Sequence, residues 1–287
     1  MDYPAVLLSL FVILLISTDS VESLYPFHRV FSFGDSMADT GNACRSMGAQ
    51  NCPALKPPFG ETYFHQPNGR WSDGRVVADF IGVASIISSS LFIVGEIGGV
   101  EYLFGFSKKK SVDEMKSWVP YIVAAISSAV NDLINLAATT LIVPGGYAVG
   151  CAPGYMTMFQ SNNPADYDML TGCLKRLNEF TVYHNTMLMK ELVKLRLLHP
   201  LANIIYADYY GAQSQLYLNK LDFPAPLYAC CGGPGPYNSS LQCGSQGSQT
   251  CSNPENYISW DGGHLTEAAN KAIANGILYG PFAFPPL

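Results

Sequence analysis

Four short apolar runs, each closed by glycine, proline or aspartate, constrain the fold of this chain more than any other feature. They are Val30-Phe31-Ser32-Phe33, Leu91-Phe92-Ile93-Val94, Thr140-Leu141-Ile142-Val143-Pro144 and Asn203-Ile204-Ile205-Tyr206-Ala207. Runs of this length and composition read as strands buried in a sheet. Long stretches with helical spacing separate them. Met115, Val119, Ile122, Ile126, Val130 and Leu133 recur every three or four residues, behind Ser111-Val112-Asp113-Glu114, whose hydroxyl and carboxylate form a capping box. Pro120 interrupts this run and is expected to kink it. Leu174, Leu177, Thr181, Leu188, Leu192 and Leu195 mark a second long helix, ended by Pro200. A helix is expected to begin at Val76 to Ile81, and a last one to run from Leu265 or Thr266 to about Ala274. Strands alternating with helices predict a parallel sheet covered on both faces, an α/β fold without internal repeats.

Gly34 and Asp35 break the first strand and place Ser36 in a turn at its carboxyl end. In open α/β sheets that end is where ligands bind. A turn serine alone is ordinary. Far downstream stands Asp261-Gly262-Gly263-His264. A carboxylate three residues before an imidazole can hold its Nδ1–H and leave Nε2 facing outward as a base. Together the three residues make up a nucleophile, a base and an orienting acid. The other histidines are weaker candidates. His28 precedes the strand, His65 lies in a polar loop, His184 sits within a helical pattern that suits a structural role, and His199 is at a helix end. The chain has no G-x-S-x-G elbow.

Phe33-Gly34-Asp35-Ser36 with Asp39-Thr40-Gly41-Asn42, and Trp260-Asp261-Gly262-Gly263-His264-Leu265-Thr266-Glu267, resemble the first and last signature blocks of the plant GDSL esterases/lipases of the SGNH hydrolase superfamily. Gly69 to Arg75 and Ala229 to Asn238 are similar to the same family. The likeness is closest to esterases of acylated plant metabolites, of the acetylajmalan esterase type. It implies a three-layer α/β/α domain with a parallel, flavodoxin-like sheet. It also implies a serine ester hydrolase that works through an acyl-enzyme, with catalytic Ser36, Asp261 and His264 and no metal or organic cofactor.

Two departures from the family pattern stand out. The family's oxyanion donors are the serine N–H, a glycine N–H from a second block and an asparagine side chain from a third. Ser36 supplies the first. In the third block the asparagine position is occupied by Val100, followed by Glu101, which would repel an oxyanion if it pointed inward. Where the second block should lie there is only Ile81 to Ser88, so a strand–helix unit is expected to be lacking. Gly82 or a serine between Ser85 and Ser90 is the available substitute, and Asn131-Asp132 falls on an amphipathic helix. Losing one oxyanion donor costs roughly 10²–10³ in turnover. Three readings follow: a secreted ester hydrolase of reduced activity, a binding protein on the same scaffold, and a poorly folded fragment.

Bulk properties narrow the class. Ala5 to Ile16 form an apolar core too short to span a bilayer comfortably, so residues 1–23 are expected to be a secretory signal and 24–287 a single domain. No later run is expected to cross a membrane. A net charge of −6 argues against nucleic-acid binding, and Lys108-Lys109-Lys110 reads as a solvated loop. Eight cysteines in such a chain suggest disulfides, with pairing left open, and none has the C-x-x-C spacing of a zinc site. Asn238-Ser239-Ser240 is a glycosylation sequon. The expected destination is extracellular or vacuolar, and the expected partner a small acyl ester. Tyr155, Phe159 and Tyr237 are candidate pocket residues, with simple packing as the alternative.

Overall fold

The computed structural model describes residues 30–81, 90–219 and 221–287. The expected signal segment and His28 lie outside the described residues, as do Gly82 and Ser85, Ser88 and Ser89. In chain order the main elements are β1 (Val30–Phe33), α1 (Asn42–Met47), α2 (Val77–Ile81), β2 (Leu91–Val94), α3 (Gly99–Ser107), α4 (Val112–Asn135) and β3 (Thr140–Pro144). They continue with α5 (Pro153–Met158), α6 (Lys175–Leu198), β4 (Asn203–Ala207), α7 (Tyr209–Leu218), β5 (Cys231–Gly232), β6 (Gln249–Thr250), α8 (Glu267–Leu278) and β7 (Ala283–Phe284).

The four apolar runs are the four parallel strands, ordered β1-β2-β3-β4, and β7 adds an antiparallel edge beside β4. A flavodoxin-like sheet runs 2-1-3-4-5. Removing its second strand leaves consecutive parallel neighbours, which is the order seen. Among the described residues β1 therefore pairs only with β2 and forms an edge, and Phe31 and Phe33 are 37% and 47% exposed.

Alternation along the strands builds the layers. Phe92, Val94, Leu141, Val143, Ile204 and Tyr206 face α4 and α6, whereas Leu91, Ile93, Ile142, Ile205 and Ala207 face α7 and α8. Each fully buried aliphatic or aromatic side chain contributes about 1.5–3 kcal/mol, so these two cores dominate stability. The capping box at α4 forms as the sequence predicts: Glu114 N–H donates to Ser111 Oγ and Ser111 N–H to the Glu114 carboxylate. Pro120 lies inside α4, which runs on for 24 residues. By length and composition α4 is apolar enough to cross a membrane, contrary to the expectation that no segment after the leader would be. Its buried residues Val112, Met115, Val119, Ile122, Val123, Ile126 and Val130 form one face packed into the core.

Four helices escape the sequence pattern, α1 and α3 as well as α5 and α7. In α7 the buried face includes Gln213 beside Tyr209, Ala212 and Tyr217, which hides the apolar period. The short α5 starts at Pro153 and carries no apolar period long enough to read. The last helix runs to Leu278, past the expected end, because Ile277 is still buried. Lys108 and Lys109 are exposed, as a solvated loop requires. All eight cysteines pair, as Cys44–Cys52, Cys151–Cys173, Cys230–Cys251 and Cys231–Cys243.

Candidate active site

Ser36 follows β1 directly, and Asp261 and His264 lie on the loop before α8. Ser36 Oγ is 2.7 Å from His264 Nε2, and His264 Nδ1 is 2.8 Å from Asp261 Oδ2. The other Asp261 oxygen accepts the backbone N–H groups of Gly263 and His264, at 3.0 and 2.8 Å. The carboxylate is thereby fixed before it meets the ring. Gly262 has φ 94°, a left-handed conformation that favours glycine, and a Cβ there would meet Ser239 Oγ.

Two neighbouring segments fix this loop. Cys230 and Cys231 donate backbone hydrogen bonds to the carbonyls of Ser259 and Trp260, so the disulfide-bearing segment anchors it. The Gly69–Arg75 block holds the start of α8. Buried Asp73 accepts the Glu267 N–H at 2.7 Å, Arg75 pairs with Glu267 at 2.7 Å, and Asn270 donates to the Arg75 carbonyl. Trp71, from the same block, stacks on the His264 ring with centroids 5.2 Å apart.

The electrostatics favour a basic imidazole. Burial works against a charged His264, but Asp261 and then Asp35 outweigh it and hold its pKa above the ordinary value. Burial likewise works against the Asp261 carboxylate, and the charge and hydrogen bonds of His264 overcome it, so Asp261 is held below its ordinary value. Asp35 is raised by burial, partly offset by the Met37 N–H that donates to its Oδ1. Its other oxygen lies against Gly99, where a Cβ would come within 2.4 Å.

The triad opens on a cleft of about 470 Å³, lined mainly by apolar side chains that include Ile97, Leu103, Phe106, Tyr155 and Met158. Of the candidate pocket aromatics, Tyr155 lines this cleft, whereas Phe159 and Tyr237 pack against the core. Val100 lines the cleft and is half exposed, and the Glu101 side chain faces solvent. Asn131 accepts from His199 Nε2 at 2.9 Å, and neither residue borders the cleft. Ser90 is buried ahead of β2. Asn238 is exposed, next to Ser239 at the cleft rim.

Sequence reasoning missed Glu96. It lines the cleft, is buried, accepts from Tyr147 Oη at 3.1 Å, and its Oε2 has no partner among the described residues. Burial, then the charge of Asp35, pushes its carboxyl well above the usual range. A lone glutamate after a strand carries no signal of burial, so only the three-dimensional packing reveals it.

A hydroxyl, an imidazole and a carboxylate in line at the carboxyl edge of a parallel sheet have the geometry of the serine hydrolases. The family model for GDSL-like lipase/acylhydrolase matches residues 91–277. A GDSL esterase/lipase of Arabidopsis thaliana is 37% identical over 342 aligned positions, covering 91% of this chain and 86% of that protein. A second from the same plant is 35% identical and covers 100% and 95%. A sinapine esterase of Brassica napus is 36% identical and covers 94% and 90%. The chain belongs to the GDSL esterase/lipase family, and it is an ester-bond hydrolase by that membership. Alignments of 342 to 372 positions exceed the 287 residues of the chain, so these relatives carry internal stretches with no counterpart here.

Proposed function

We propose that this protein is a secreted serine carboxylic-ester hydrolase acting on a small, largely apolar acyl ester. The observation that carries the reading is the continuous relay from Ser36 Oγ to His264 Nε2 to Asp261, open to the cleft. His264 takes the Ser36 proton as Oγ attacks the ester carbonyl. Asp261 holds the ring and stabilises its charged form. The Ser36 N–H donates to the oxyanion, the imidazolium protonates the leaving alcohol, and water then attacks the acyl-enzyme with His264 again as base. No metal is needed. Residues 1–23 act as the leader, residues 24–287 as one domain, and Asn238 as a glycan acceptor. The four disulfides fit an oxidising compartment.

A fluorophosphonate probe on the secreted protein tests the assignment. It should label Ser36, and Ser36→Ala should abolish the label and most ester hydrolysis, by up to roughly 10⁶ in a complete triad. Equal labelling of the variant would remove Ser36 as nucleophile. Val100 favours a second reading, a binding protein with a retained cleft, because it has no donor for the oxyanion. Hydrolysis of a short acyl ester that disappears in Ser36→Ala excludes it.

A further inference from the structure

The cleft contains a polar pair that the relay does not use. Tyr102 is buried on α3 and His184 on α6, and both line the cleft. Tyr102 Oη lies 2.8 Å from His184 Nδ1. The His184 Nε2 has no hydrogen-bond partner among the described residues. The surroundings are aromatic: Tyr102 meets Phe180 edge-on at 4.7 Å and His184 at 5.6 Å, and Phe106 meets Phe180 and Tyr155 edge-on. Across the cleft edge His184 approaches glycine: a Cβ on Gly146 would lie 4.0 Å from its Cδ2, the carbon next to Nε2. Among the described residues no acidic group shifts His184, and burial lowers its pKa to about 4, so the ring is neutral at physiological pH.

The tautomer follows from hydrogen-bond chemistry. A phenol is the stronger donor and an imidazole nitrogen the stronger acceptor. The Tyr102 hydroxyl therefore donates to Nδ1, and the proton of the neutral ring sits on Nε2. The reverse arrangement would strand the Tyr102 O–H as well, a buried donor without an acceptor, at a cost of about 1–3 kcal/mol. The result is one N–H donor held rigidly in an aromatic wall of the substrate cleft.

We infer that the Tyr102–His184 pair is a specificity site that recognises an uncharged oxygen acceptor, an ether, hydroxyl or carbonyl, on the apolar part of the ester and away from the scissile bond. The inference rests on the reading of this cleft as an ester site. A carboxylate would find no lysine or arginine among the residues that line the cleft. A bare hydrocarbon would leave Nε2–H buried and unpaired, and sites built to pair a substrate oxygen reject the analogue that lacks it.

The test is binding, measured on the Ser36→Ala protein so that turnover does not intervene. Two ester pairs are compared by calorimetry: methyl 3-(4-methoxyphenyl)propanoate with methyl 3-(4-ethylphenyl)propanoate, and 2-(4-methoxyphenyl)ethyl acetate with 2-(4-ethylphenyl)ethyl acetate. The first pair places the oxygen on the acyl side, the second on the alcohol side. At least one pair should favour the methoxy ester by about tenfold, the ratio that about 1.4 kcal/mol gives. His184→Phe should bring that ratio to one, His184→Gln should keep part of it through its amide N–H, and Tyr102→Phe should reduce it by releasing the tautomer. Equal binding within both pairs overturns the inference, as does a preference that survives His184→Phe, or no binding of any of the four esters. Fluorophosphonate labelling of Ser36 in the parent protein judges the hydrolase reading separately.

Discussion

Trp71 lies over the imidazole of His264, ring centroids 5.2 Å apart and planes inclined by 30°. The indole comes from the block that also holds α8 through Asp73 and Arg75. It faces the ring that would become positively charged on taking the Ser36 proton in the proposed mechanism. An aromatic face beside a desolvated cation stabilises it by about 0.5–2 kcal/mol. Trp71→Ala should therefore lower kcat by about 2- to 30-fold with little change in KM, and Trp71→Phe should recover much of it. Steady-state kinetics of both variants check this; an unchanged kcat in Trp71→Ala would show that the stack is only packing.

The pH profile should report His264. Its pKa is raised, so the neutral, basic form is lost as pH falls through a value above the ordinary 6.5 or so of histidine. The acid limb of kcat/KM is expected there. In Asp261→Asn the chief raising partner is gone, so the limb should move to lower pH while the rate falls by about 10⁴ through the wrong tautomer. A limb that stays in place in the variant would mean that another group titrates.

Restoring a donor at the third oxyanion position should raise activity. Val100 borders the cleft at the start of α3. Val100→Asn supplies a side-chain N–H, and a single donor is worth roughly 10²–10³ in turnover when aligned. Single-turnover acylation with a 4-nitrophenyl ester measures it. A variant no faster than its parent would mean that the oxyanion is held elsewhere.

The Cys151–Cys173 bridge spans 22 residues and ties α5, with Tyr155 and Met158 of the cleft, to the start of α6. Replacing both cysteines with alanine should lower stability by about 3 kcal/mol through greater freedom of the unfolded chain. Thermal unfolding should then shift down by about 6 °C. KM should rise more than kcat falls, because the bridge orders the cleft wall rather than the relay.

Much of the architecture was legible in the chain. The four strands, both long helices and the capping box of α4 follow from apolar runs, helical spacing and one Ser-x-x-Glu pattern, all of which act over a few residues. The three relay residues were legible for a related reason: glycine, aspartate and serine in a strand-ending turn, and Asp-x-x-His before a helix, carry their geometry locally. α7 was not, because Gln213 occupies a core position and breaks the period. Glu96 and the Tyr102–His184 pair were not either, since nothing local marks a glutamate or a histidine as buried.

The sequence alone thus determined the sheet, its layers and the residue types of the relay, because strand and helix patterns are short-range consequences of side-chain spacing. The tertiary structure decided the rest: the 2.7 Å meeting of residues 228 positions apart, the four cysteine pairs, the indole over His264 and the polar pair in the aromatic wall. Those depend on which surfaces close against one another, and burial then sets both the charge state of each group and the partner it must find.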